Sequence, residues 1–121
     1  MGYTNYIHQK RSFTDEEWKQ VLQEYDYVKE IGHIEPVNPE DKDTIIFNGK
    51  NNSCESFYLE KNLENYFKGS MGEYYKEQFD KNKYHFNFCK TRMWEYDLSV
   101  WYMYVALNHI SKENISIGRD R

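Results

Sequence analysis

The chain has 121 residues, a formal net charge of −4 and a pI near 5.6. That length predicts one domain, able to bury roughly two-thirds of its unfolded surface. No basic run offers a track for phosphates, which weighs against duplex nucleic acid as a partner, and two cysteines are too few for a disulfide scaffold.

From the N-terminus, Gly2 to Gln9 alternates weakly, with Tyr3, Asn5 and Ile7 on one side, and predicts a strand. The opening residues have no apolar signal core. Tyr6 stands where a myristoylation motif needs Ser or Thr, so a soluble, intracellular protein is expected. Lys10, Arg11 and Ser12 form a short basic turn. Thr14 and Glu17 make a capping box, and Phe13 is placed to staple Trp18. Trp18, Val21, Leu22, Tyr25 and Val28 then read as one apolar helical stripe that stops at Gly32.

Residues 34–42, with Pro36 and Pro39, read as a loop. Thr44 to Phe47 is a strand ended by Asn48-Gly49, and Cys54 to Leu59 is its return partner in a hairpin. Residues 62–83 have interrupted helical spacing and predict an insertion of one or two short helices. Tyr84 to Cys89 alternates with period two, the pattern of a half-buried strand.

The most apolar stretch, Leu98 to Ile110, is too long for an average strand. Leu98, Trp101, Tyr102 and Val105 fit helical spacing, Asp97 can cap the first turn, and a helix apolar on most sides is expected in the interior. It has fewer than the roughly 18 unbroken apolar residues of a membrane span. Ile115 and Ile117 allow a last strand. The predicted order is β-α-β-β-(insert)-β-α-β. That is a single α+β domain in which a mostly antiparallel sheet carries two main helices.

Several of these landmarks form a larger pattern. Gly2-Tyr3-Thr4-x-Tyr6, the Phe13 to Trp18 helix start, Phe47-Asn48-Gly49 followed by Glu55-x-Phe57, and Phe88-Cys89-Lys90-Thr91 with Tyr96-Asp97 stand in one order. Together they resemble a family of small uncharacterised proteins of tailed phages and large DNA viruses. The likeness spans most of the chain except about residues 62–84. It implies a viral or phage setting, in the host cytoplasm or with the virion, rather than a reaction. The chain departs from the family pattern at Arg92-Met93-Trp94-Glu95, which is less basic, and at Cys54, where members often carry histidine.

The polar residues of that pattern, Asn48, Glu55, Lys90, Thr91 and Asp97, are the candidate site. Lys90 and Thr91 fall between a strand end and a helix start, where backbone donors, a hydroxyl and an ammonium can converge on an anion. Trp94 or Tyr96 can stack a nucleotide base. The competing structural reading is a Glu55–Lys90 pair plus a helix cap holding a turn.

Catalysis finds less support. Cys54 or Cys89 with His85 is the Cys/His option, and His85 and Cys89 stand about 13 Å apart along a strand. The histidines show no metal-ligand spacing with the cysteines, and Gly49 to Ser53 lacks the P-loop pattern, so no metal or cofactor is expected. Cys54 and Cys89 can pair geometrically, but two buried thiols are the simpler reading.

Aromatic residues make up 18% of the chain, more than one small core holds, and Tyr and Trp are enriched at interfaces. Tyr3, Tyr6, Tyr27, Tyr58, Trp94 and Tyr102 are the surplus. The leading expectation is therefore a non-enzymatic accessory protein of viral or phage origin that binds a host or viral protein or self-assembles. The alternative is a binder of a nucleotide or other small anion, and the third is an enzyme of unknown class.

Overall fold

The computed structural model describes residues 4–38 and 42–120. Gly2, Tyr3 and Pro39 lie outside them. Strand β1 (Thr4–Gln9) buries Asn5, Ile7 and Gln9 and turns the alternate residues outward. Helix α1 (Asp15–Ile31) starts at the predicted box: the Thr14 hydroxyl accepts the Glu17 N–H at 3.1 Å, and the Glu17 carboxylate accepts the Thr14 N–H at 2.9 Å. Phe13 sits 5.8 Å from the Trp18 ring as the staple. Gly32 ends the helix at φ +88°, a conformation few other residues adopt. Trp18, Val21, Tyr25 and Val28 face the core, but Leu22, expected in the same stripe, is 37% exposed.

Residues expected to be a loop form β2 (Ile34–Val37), which pairs antiparallel with β3 (Thr44–Gly49). Pro36 hid this strand, and it is tolerated because β2 is an edge with one partner. Asn48 and Gly49 extend β3 rather than ending it. The return strand β4 is shorter than predicted (Phe57–Glu60), and Cys54 to Ser56 approach it outside any ladder. The insertion holds two helices, α2 (Leu63–Tyr66) and α3 (Gly72–Asn82). Then come β5 (His85–Lys90), α4 (Asp97–Ile110) and β6 (Ile115–Asp120).

The fold is α+β, but the strands make two antiparallel sheets rather than one, in orders β5-β1-β6 and β2-β3-β4. The expected interior helix needs a correction too. Leu98 is 71% exposed, Val105 42% and Tyr102 37%, and Trp101 is half-buried. The buried stripe of α4 is Val100, Met103, Tyr104 and Leu107. Both stripes are apolar at helical spacing, and the packing partners, α1 on one side and β1 and β6 on the other, decide which is covered. Aromatic rings join the two halves of the molecule: Tyr25 against Phe47 at 6.0 Å, Phe47 on Phe57 at 4.5 Å, and Phe57 against Tyr104 at 5.4 Å. Among the described residues no helix is long and apolar enough to cross a membrane.

Candidate functional site

The elbow between β5 and α4 gathers most of the predicted site residues, in roles that the sequence did not specify. Glu55 and Lys90 are neighbours through their backbones. The Glu55 N–H donates to the Lys90 carbonyl at 3.0 Å, and the Glu55 carboxylate accepts the Lys90 N–H at 2.8 Å. The Lys90 side chain itself is exposed. Buried Tyr96 clamps this corner: its hydroxyl accepts the Cys54 N–H at 2.9 Å and donates to the Glu55 carbonyl at 2.8 Å, with the Lys90 carbonyl 3.2 Å away. Burial raises the Tyr96 phenol to about 12. Asn48 lies farther off on β3, half-buried, and accepts from the Ser56 hydroxyl.

Asp97 does not cap α4. It occupies the first helical position, Tyr96 is the N-cap residue, and no side chain bonds the cap. The Asp97 carboxylate is instead buried and accepts the Asn5 amide at 2.8 Å, the Thr91 hydroxyl and the Arg119 guanidinium. Arg119 also donates to the Asn5 carbonyl oxygen at 2.6 Å and lies 4.8 Å from the Trp101 ring. Burial alone pushes the Asp97 carboxyl up, but these three donors outweigh it and hold it below its ordinary value. Thr91 is fully buried in the same network. Lys90 is in solvent while Thr91 and Asp97 are inside and already bonded, so the three do not converge on an anion. They tie β1, β5, β6 and α4 together.

The turn into α4 is strained. Arg92 (φ +56°) and Met93 (φ +57°) both take the left-handed region, closed by the Trp94 N–H on the Thr91 carbonyl at 3.2 Å. Such turns favour Asn-Gly, and bulky residues cost about 1–2 kcal/mol each there. The double substitution Arg92→Asn with Met93→Gly is therefore expected to stabilise the protein by about 1–2 kcal/mol in urea unfolding. Half-buried Trp94 takes the Arg92 guanidinium at 5.9 Å from its ring. Both cysteines are free, Cys54 exposed and Cys89 buried, where desolvation lifts the Cys89 thiol well above its ordinary value.

A concave surface lies elsewhere, where the two sheets part. At the Glu55–Lys90 corner the segment leading into β4 is hydrogen-bonded to the end of β5. Further along, the Asn87 side chain spans to the Tyr58 carbonyl at 2.8 Å, and the Tyr66 hydroxyl takes the Glu60 N–H at 2.9 Å. This opening is a groove of about 670 Å³, walled by Tyr58, Tyr74, Tyr75, Tyr84, Phe86 and Phe88, with Gln78 and Asn82 as polar members. Glu55 is the one Asp, Glu, Lys or Arg among the described residues that line it. His85 lines it as well, its ring 4.0 Å from Tyr66 and edge-on to Tyr75 at 5.3 Å. Burial lowers its pKa to about 4, so the imidazole is neutral near pH 7. Of the earlier site residues only Glu55 reaches this groove.

The signal for the groove was present in Tyr84, Phe86 and Phe88, which alternate with His85, Asn87 and Cys89. The structure turns the aromatic side outward, leaving Phe86 45% and Phe88 43% exposed, and buries His85 and Cys89. Compared with family models, curated proteins and solved structures, the chain matches none.

Proposed function

We propose that this is a non-enzymatic binding protein, an accessory protein of viral or phage origin, that receives an apolar, uncharged segment of a partner protein in the groove beside β5. The observation that carries the reading is the groove's wall. Its volume is in the range of sites that bury a ligand, and its surface is made of tyrosine and phenylalanine, the residues enriched where proteins meet. With Glu55 the one Asp, Glu, Lys or Arg among the described residues that line it, the groove suits a neutral guest. The viral setting rests on the family resemblance of the sequence.

Capture from host lysate on immobilised protein tests the proposal, with Tyr58→Ala/Tyr74→Ala as the matched control. Tyr74 is 53% exposed, but Tyr58 also donates to Glu60 and packs edge-on to Tyr66, so the urea midpoint of the control is measured beside its retention. The expected result is a partner retained by the unmodified protein and weakened about thirtyfold by the pair, the effect of losing a contact of about 2 kcal/mol. Equal retention by both proteins, or no retention by either together with a monomeric mass in light scattering, would overturn it. Concentration-dependent mass that the pair abolishes would assign the groove to self-assembly.

A further inference from the structure

The outward face of the sheet β5-β1-β6 adjoins the groove, shares Tyr84, Phe86 and Phe88 with its wall, and continues past it over β1 and β6. Ile7, Asn5 and Gln9 point the other way, toward α4 and the core. On the outward face the register stacks rows across the three strands: Lys90–Thr4–Asp120, then Phe88–Tyr6–Gly118, then Phe86–His8–Ser116. Tyr84 and exposed Lys10 flank the last row.

The rings of these rows form one continuous cluster. Tyr6 lies 5.6 Å from Phe86 and 5.7 Å from His8, His8 lies 4.4 Å from Tyr84, and Phe86 lies 5.6 Å from Phe88. Gly118 shapes it. A Cβ there would collide with the Tyr6 ring, so the glycine lets that ring lie across β6 instead of standing off the sheet. Lysines stand at both ends of the cluster, Lys10 and Lys90, roughly 20 Å apart along the strands. Asp120 is the carboxylate of these rows, at the β6 end of the first of them.

We infer that this face binds single-stranded nucleic acid, with bases stacked on Tyr6, Phe86 and Phe88 and the backbone held at its ends by Lys10 and Lys90. Three reasons favour this occupant. Aromatic side chains at cross-strand positions of an open sheet offer π-faces to unpaired bases, and stacking on them tolerates any sequence. The cationic groups sit at the ends of the aromatic row and not within it, which is where the phosphates flanking two or three stacked bases would lie. A duplex, with its bases already stacked on each other, gains nothing from the rings to offset the repulsion that a net charge of −4 exerts on any polyanion. Two lysines make the electrostatic contribution small, so the affinity is modest and carried by stacking.

Fluorescence anisotropy with a labelled oligo-dT at low salt tests the inference, using the whole chain. The expected result is saturable binding that Tyr6→Ala weakens about tenfold and Lys90→Ala a few-fold, the latter with a salt dependence shallower by about 0.7. Gly118→Ala, which displaces the Tyr6 ring while removing no group, should weaken binding in the same direction, and the corresponding duplex should not compete. Tyr58→Ala/Tyr74→Ala changes groove rings outside the Tyr6 cluster and should leave oligonucleotide binding unchanged, while Tyr6→Ala and Gly118→Ala lie outside the groove lining, so the two proposals fail separately although Phe86 and Phe88 belong to both surfaces. No anisotropy change with any single-stranded homopolymer would overturn the inference. So would binding indifferent to Tyr6→Ala and Gly118→Ala. A mass in light scattering that falls on Tyr6→Ala, with no oligonucleotide bound, would assign the face to a second copy of the chain and likewise overturn it.

Discussion

Replacing Asp97 with alanine is expected to cost about 3–5 kcal/mol in urea unfolding, with the slope of the transition unchanged. The carboxylate is buried and takes donors from three places far apart in sequence: Asn5 on β1, Thr91 at the elbow and Arg119 on β6. Deleting it leaves a guanidinium that is largely covered, a hydroxyl and an amide without their acceptor, and each such loss carries a desolvation cost. Asp97→Asn should cost less, because its carbonyl oxygen still accepts a bond while the charge opposite Arg119 is lost. A loss below about 1 kcal/mol for Asp97→Ala would mean that the network does not hold α4 to the sheet, and would return Asp97 to the list of groups free to meet a ligand.

Acid is expected to destabilise the protein by about 3 kcal/mol between pH 7 and about pH 4, through His85. The sign follows from burial. The folded imidazole has its pKa lowered to about 4 against an ordinary value of 6.5, so the folded state binds the proton less readily than the unfolded chain. The stabilisation is fully present above about 6.5 and is lost as the pH falls toward 4. Glu17, held down to about 2 chiefly by its bond to Arg11, loses its contribution only at lower pH, between about 4.5 and 2. His8, also held below its ordinary value by burial, contributes in the same window, and the larger part of the first loss on acidification is assigned to the more deeply buried His85. His85→Phe keeps a ring against Tyr66 and Tyr75 and should flatten the profile from pH 7 to about 5, as measured by urea midpoints. An unchanged slope in that variant would contradict the assignment.

Local signals were read well from the sequence. The α1 capping box needs only Thr14 and Glu17 three residues apart, and its staple needs only Phe13 and Trp18, so neighbours alone settle them. The buried side of α4 is a different problem. Leu98, Trp101, Tyr102 and Val105 make as good an apolar stripe as Val100, Met103, Tyr104 and Leu107, and only the position of α1 and the sheet chooses between them. Strand β2 was invisible because Pro36 and the acids around it argue against a strand, while its pairing with β3 is a tertiary fact. Nothing near β5 announces that it leaves the β3–β4 hairpin and pairs with β1, and that choice divides the strands into two sheets.

The candidate site divides in the same way. That Lys90, Thr91, Tyr96 and Asp97 share an elbow follows from their closeness in sequence. That Thr91 and Asp97 are structural does not, because Asn5 and Arg119 reach Asp97 across 92 and 22 residues. The groove draws Tyr58 from the hairpin, Tyr74 and Tyr75 from the insertion, and Tyr84 from the start of β5. The tyrosine surplus announced that exposed rings existed, but only the fold gathers these around one opening.

The most direct measurement is hydroxyl-radical footprinting of the protein alone and with the partner retained from lysate. The account predicts protection at Tyr58, Tyr74 and Tyr84, with the outer face of α4, Leu98 and Tyr102, reacting equally in both states. Protection confined to Leu98, Tyr102 and the Arg92–Trp94 turn, with the groove tyrosines unchanged, would contradict it.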